Sequence, residues 1–228
     1  EAVLKKYTDN VEAYQLYLNG RFHVNKFTPD GFFKAIEYFQ AAIALDPDYA
    51  IAYSGLSFSY MNLGHQNWSS PYKSLPLAIQ FAIKSLELDD EMAESHLAVG
   101  RVKVHCELKV REAEIEFKKA IAINPNSAEI YVQLGFCAAM LGNNKEAIEH
   151  AIKAESLDPF SLLNLYYIGI PYWGVGDFEK ILALGKRLID LEPYFPGGYL
   201  WVGISYLFSK RYEEAIPTLE MAVKLYPD

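Results

Sequence analysis

Residues 128–161 read AEIYVQLGFCAAMLGNNKEAIEHAIKAESLDPFS. Tyr131, Leu134, Gly135 and Ala138 fall at i, i+3, i+4 and i+7, the spacing that gathers side chains on one face of an α-helix. Leu141-Gly142-Asn143-Asn144 breaks that pattern with residues that tolerate a left-handed turn. Ala147, Ala151 and Ala154 then resume it, and their small side chains let a second helix lie close against the first. Asp158-Pro159 ends the second helix, because proline offers no N–H to the ladder and biases the preceding residue away from the α region. A helix–turn–helix pair of this size cannot bury its apolar faces alone, so it must stack on neighbours.

The neighbours are in the sequence. Asn124-Pro125, Asp158-Pro159, Glu192-Pro193 and Tyr226-Pro227 set proline every 34 residues, and Gly135, Gly169 and Gly203 keep the same step. Upstream, Leu45-Asp46-Pro47 closes one repeat and Leu88-Asp89-Asp90 the next. Residues in excess of the period fall between His65 and Pro76, near His105 to Lys109, and in Lys26-Phe27-Thr28-Pro29-Asp30-Gly31. Six repeats result, spanning approximately 13–49, 50–92, 93–127, 128–161, 162–195 and 196–228.

From about Ala13 to Asp228 the chain resembles the tetratricopeptide repeat family. First helices carry the resemblance at Tyr53-Leu56-Tyr60, Gly100, Tyr131-Leu134-Gly135, Gly169-Tyr172 and Tyr199-Gly203-Tyr206. Second helices carry it at Ala35-Phe39-Ala42, Ala113-Phe117-Ala120, Ala147-Ala154 and Ala215-Ala222. The resemblance implies an all-α fold, a right-handed α-solenoid of six helix-turn-helix repeats forming a single domain over 1–228. Repeat five departs most, with Ile181, Gly185 and Leu188 at positions usually small or aromatic, and is expected to be splayed. The segment Tyr7-Thr8-Asp9-Asn10-Val11-Glu12-Ala13-Tyr14-Gln15-Leu16-Tyr17-Leu18-Asn19-Gly20-Arg21 is similar to the opening of repeat regions in multidomain bacterial signalling proteins, where a kinase, nucleotide-cyclase or winged-helix module precedes the repeats. That similarity, with a first residue Glu1 rather than Met, leads to the expectation of a piece of a longer regulator.

Composition narrows the function. Apolar residues make up 51% and charged ones 22%, a globular balance. The 21 basic and 29 acidic residues give a net charge of −8, which speaks against a phosphate-backbone surface and hence a nucleic-acid partner. No apolar run reaches the roughly 18–20 residues of a membrane span, so no membrane insertion is expected. Cys106 and Cys137 lack metal spacing and read as small apolar residues of a reducing, cytoplasmic setting, with a disulfide as the alternative.

Catalytic patterns do not assemble. His23, His65, His96, His105 and His150 form no HExxH motif or His/Cys cluster, and no cofactor or metal is expected. His96 stands where the repeat usually has an aromatic, so packing explains it. Gly174-Val175-Gly176-Asp177 reads as an interhelix turn, not a phosphate cradle. Glu112, Glu114 and Glu116 read as a solvated helix face. The chain is not expected to be an enzyme.

In this family first helices line the concave surface. Carried onto this chain, the matching positions include Tyr17, Arg21, Phe58, Arg101, Gln133, Phe136, Tyr166, Tyr167, Trp173, Trp201 and Phe208. The character shifts from mixed polar to strongly aromatic along the chain, which suits an apolar or helical peptide. Trp201 and Phe208 are instead expected to be covered by a continuing superhelix or a capping helix beyond Pro227-Asp228, whereas Tyr166, Tyr167 and Trp173 fit either reading. Members that hold acidic chaperone tails use Lys and Asn in a clamp; the corresponding window here reads Tyr17, Arg21, Gly55, Glu94 and Ala98, so that clamp is absent. Pro171, mid-helix, should remove a bond to the Tyr167 carbonyl and kink its helix. Trp68 and Tyr72 are expected to fold back over the ridge between repeats two and three.

The leading expectation is thus a non-catalytic scaffold that binds a protein or peptide in a concave groove. The alternatives are a ligand- or peptide-sensing domain that signals to an attached module, and self-association as a homo-oligomer through the C-terminal face.

Overall fold

The computed structural model describes residues 8–226, so Tyr7 of the opening segment and the terminal Pro227-Asp228 lie outside the described residues. Every regular element among the described residues is an α-helix, arranged as successive antiparallel hairpins. The chain divides into two compact units, residues 1–124 and 125–228.

The first unit holds three hairpins. These pair α1 (Val11–Val24) with α2 (Pro29–Leu45), α3 (Ala50–His65) with α4 (Pro71–Leu88), and α5 (Ala93–His105) with α6 (Val110–Ile123). Local chemistry starts the helices: the Asn10 side chain accepts from Ala13 N at 3.1 Å, and Thr28 accepts from Gly31 N ahead of Pro29 in the first turn of α2. Phe39 of α2 is wholly buried and packs on Tyr17 of α1 with ring centroids 5.8 Å apart. Burying a side chain of this size contributes about 1.5–3 kcal/mol. On α4, Ala78, Ala82 and Ser85 form the close-packing face, and the Ser85 hydroxyl donates to the Ala50 carbonyl at 2.9 Å.

The second unit repeats the plan with α7 (Ala128–Met140) and α8 (Asn144–Leu157), α9 (Leu162–Val175) and α10 (Phe178–Leu191), and α11 (Pro196–Phe208) and α12 (Tyr212–Leu225). Ala147, Ala151 and Ala154 of α8 are buried as small residues must be where two helices approach. Each of the six hairpin turns contains a residue of positive φ: Phe27, Asn67, Leu108, Gly142, Gly176 and Lys210. At Gly176, φ of 76° closes α9, a backbone that favours glycine because a Cβ would crowd it.

Pro171 is buried inside α9, which continues through it to Val175. One expectation needs correction. Trp68 packs in the other direction, with its ring 5.9 Å from both Phe27 and Phe32 of the first hairpin, while Tyr72 stands 93% exposed. In repeat five, Ile181, Gly185 and Leu188 are all buried, and α9 and α10 meet less extensively than the two helices of any other hairpin, in keeping with a splayed pair.

Candidate functional site

In the first unit the candidate residues fall into two groups. Tyr17 is buried, set edge-on to Tyr49 at 5.7 Å, and its hydroxyl accepts from Arg21 Nη1 at 3.0 Å. Arg21 is exposed at the surface of α1. On α3 and α5, the Arg101 guanidinium lies 4.6 Å from the centre of the half-buried Phe58 ring, a cation–π contact made with Arg101 only 7% exposed. Ser54 fastens the same two helices by donating to the Glu94 carbonyl at 3.2 Å. His65 and His105 meet edge-on at 5.6 Å.

The second unit is different in kind. α9 and α11 contain no charged residue. Tyr166 meets Tyr167 at 5.5 Å, Phe195 at 6.0 Å and Trp201 at 5.5 Å, a knot of rings. Burial there pushes the Tyr166 phenol up to about 12, with smaller effects from Tyr167 and Tyr226. Trp201 is only 3% exposed, and its Nε1 donates to the Tyr166 carbonyl at 2.9 Å. Its indole occupies the place a side chain at residue 169 would need: a Cβ on Gly169 would come within 2.5 Å of the ring. Trp201 is therefore covered within the second unit by α9. Phe208 keeps 51% of its surface while stacking on Phe178 at 5.0 Å, and Trp173 keeps 48%. Leu207 and Met140 are also exposed. Trp173 and Leu207 are one period apart, as are Gly174 and Phe208, so these side chains stand at corresponding turns of successive first helices.

Of the eleven candidates, Tyr17, Arg101, Gln133 and Trp201 are buried. Among them Tyr17 meets the Tyr49 ring, Arg101 the Phe58 ring and Trp201 the Tyr166 carbonyl. Arg21, Trp173 and Phe208 are exposed, and Phe58, Phe136, Tyr166 and Tyr167 are half-buried. The sequence reading missed a polar pair. His96 Nδ1 lies 2.7 Å from Glu116 Oε2 and its Nε2 lies 2.9 Å from the Asp90 carbonyl, so Glu116 is buried rather than solvated. Only the side-chain direction across two helices, which spacing on one helix does not carry, reveals it.

Elsewhere, a surface cleft of about 660 Å³ runs along α4 beside Tyr53, Ile79 and Ile83, but its Tyr53 hydroxyl donates to the Pro47 carbonyl and Lys84 pairs with Glu87. Cys106 and Cys137 are free thiols, and burial, then Glu107, pushes Cys106 up to about 11. Among the described residues no group of three or more His, Cys, Asp or Glu is placed to hold a metal, and no helix is long and apolar enough to cross a membrane.

Comparison with known proteins agrees with this architecture. Residues 116–149 and 198–228 each match a tetratricopeptide repeat family model. The chain is similar to the transcriptional regulator HilA of Salmonella typhimurium, 24% identical over 182 residues that cover 79% of this chain and 32% of HilA. It thus spans about a third of the length of that relative. Among solved structures, the tetratricopeptide protein TTC0263 of Thermus thermophilus superposes with a TM-score of 0.64 at 16% identity, covering 90% of this chain and 99% of that one. YrrB, described as a tetratricopeptide protein with an unusual peptide-binding site, superposes with a TM-score of 0.50 at 24% identity, covering 83% of this chain and 93% of its own. At these identities the structures share the fold.

Proposed function

Because the chain carries tetratricopeptide repeats, an architecture that serves protein–protein interaction, we propose that it is a non-catalytic module whose second unit binds an uncharged, apolar segment of a protein or peptide. One observation carries this reading: α9 and α11 are free of charge yet leave Trp173, Leu207 and Phe208 open to solvent. A buried charge has nothing to pair with on such a face, while aromatic and aliphatic side chains gain contact area at little entropic cost. The amphipathic helix is the ligand form that presents those side chains together. The peptide-binding site of YrrB lends the reading support at the level of the fold.

The test uses two probe peptides, an amphipathic helix with Leu and Phe on one face and Gln on the other, and an Asp/Glu-rich peptide. Saturable binding of the first, lost in Trp173→Glu and Leu207→Glu with circular dichroism unchanged, is the expected result. Equal binding by both variants and the parent removes the site.

The similarity to HilA over most of the chain supports a second level of the same proposal. The chain is a partner- or ligand-sensing part of a longer bacterial regulator and reports occupancy to an attached module. A ligand-dependent rise in melting temperature of the whole protein, with altered output of that module, is the measurement that checks it.

A further inference from the structure

Helices α1 and α12 each leave open a face that the other hairpins close. Phe22 lies two residues beyond Gly20 in α1. The same place in the five later first helices holds Ser59, Val102, Cys137, Pro171 and Ser205, and every one of them is buried. Phe22 is 60% exposed. Leu18, two residues before Gly20, stands where α11 has the buried Trp201 two residues before Gly203, yet it too is exposed. Val11, Leu18 and Phe22 fall at i, i+7 and i+11 and share one face, with the polar Gln15 between them. On α12, Ile216 and Val223 lie 34 residues beyond Leu182 and Ile189 of α10. Leu182 and Ile189 are half-buried, whereas Ile216 is exposed and Val223 is 75% exposed.

Inside the second unit α10 packs on α11, and there the equivalent faces meet. The Ser205 hydroxyl donates to the Phe178 carbonyl at 2.7 Å, and a Cβ on Gly198 would come within 2.8 Å of Ile189 Cγ1. The start of α10 thus lies at the end of α11, and the end of α10 at the start of α11. Ser205 and Gly198 correspond to Phe22 and Gln15 of α1, while Phe178 and Ile189 correspond to Tyr212 and Val223 of α12. α12 and α1 therefore carry the two halves of an interface of this kind.

Charge agrees with the antiparallel direction. α12 opens with Glu213 and Glu214, and α1 closes with Arg21, followed by Lys26, whose Nζ lies 4.7 Å from the centre of the Phe22 ring. Glu214 already pairs with Arg211, so Glu213 is the acid at this end. Antiparallel packing sets the acidic start of α12 beside the basic end of α1. The reverse direction would set Glu213 beside Glu12 and Lys224 beside Arg21, which like charges oppose.

We propose that the outward face of α12 receives the α1 face of a second copy of this chain, so that copies associate head to tail. Such a contact is heterologous, and it leaves one face of each copy for a further copy or for closing a ring. One helix face on another, with Gln15 among the apolar side chains, makes a small interface and hence a weak, reversible association. It uses neither Trp173 nor Leu207 and stands apart from the peptide-binding reading.

Sedimentation velocity of the whole chain, from about 5 µM to about 500 µM, covers the range in which a small interface fills. The expected result is a sedimentation coefficient that rises with concentration. Phe22→Glu and Val223→Glu, each with the circular dichroism and melting temperature of the parent, are each expected to stay monomeric. Mixed in equal amounts they are expected to form a one-to-one complex, because Phe22→Glu keeps the α12 face and Val223→Glu keeps the α1 face. A parent that is monomeric throughout overturns the pairing and leaves these faces to a helix of another protein. Association that survives in either single variant, or a mixture that stays monomeric, overturns the head-to-tail arrangement.

Discussion

Trp201 donates its indole N–H to the Tyr166 carbonyl across Gly169, whose missing side chain leaves the space in which the ring sits. The pair joins α11 to α9 and turns the largest side chain of α11 into a fastening between first helices. Trp173, on the same α9, has no such role and stays half exposed. Two tryptophans on aromatic first helices therefore do different work, one holding the face together and the other offered by it.

That division predicts opposite stability effects. Trp201→Ala is expected to cost about 3–5 kcal/mol, as truncation of a buried aromatic does. Gly169→Ala is expected to cost at least about 1–3 kcal/mol by overpacking against the indole. Trp173→Ala is expected to stay within about 0.5 kcal/mol of the parent. Urea unfolding of the three variants checks the ranking, and a Trp173→Ala cost equal to that of Trp201→Ala would contradict it.

A second prediction concerns the hairpin turns. Leu108 holds φ of 57° while 74% exposed, so it carries the strain of a left-handed backbone with little packing in return. Leu108→Gly should stabilise the protein by roughly 0.5–1 kcal/mol, and Gly142→Ala should destabilise it by a similar amount. Chemical denaturation of both variants measures the two signs.

Acid should loosen the first unit through Glu116. Burial raises its pKa, but hydrogen bonds from His96 and Lys119 outweigh that, and the carboxyl sits below its ordinary range. A depressed folded-state pKa gives stability that is complete above the unfolded value of about 4.3 and is lost as pH falls through the folded one. Glu116→Gln is therefore expected to be less stable than the parent at pH 7 and to converge with it as pH falls through the depressed folded-state pKa. Denaturation midpoints across that range provide the check; a constant gap would show that the ionised carboxylate is not responsible.

The thiols offer a chemical test. With its pKa pushed up to about 11, Cys106 forms little thiolate at pH 8 in the folded chain, while burial shields Cys137 from reagent. Labelling by a thiol reagent should be slow in buffer and fast in urea, where unfolding exposes both thiols. Rapid labelling of the folded protein would show that Cys106 is more open than its burial indicates.

Much of the fold was legible because it is written locally. The Asp158-Pro159 stop, the Gly142 turn and the Ala147-Ala151-Ala154 face each act within one hairpin, and their 34-residue recurrence specifies stacked helical pairs. The candidate surface was less legible. Tyr17, Arg101, Gln133 and Trp201 occupy first-helix positions that line a groove in the family, yet whether such a side chain faces outward depends on what its neighbours leave room for. Gly169 admits the Trp201 ring, and Phe58 draws the Arg101 guanidinium onto its face. The His96–Glu116 pair joins different helices, so no spacing on either one announces it. Pro171 costs α9 a backbone hydrogen bond, a local effect legible in the sequence, while the burial of its ring among neighbouring helices is not.

The central claim is that the uncharged face of the second unit receives an apolar segment. Fluorescence anisotropy of the labelled Leu/Phe/Gln amphipathic helix, titrated with the parent chain and with Trp173→Glu, tests it most directly. The account predicts a saturable rise with the parent, at least about tenfold weaker with the variant, which corresponds to the roughly 1.4 kcal/mol or more of a hot-spot contact. An unchanged curve for Trp173→Glu, or stronger binding of the Asp/Glu-rich peptide to the parent, would contradict it.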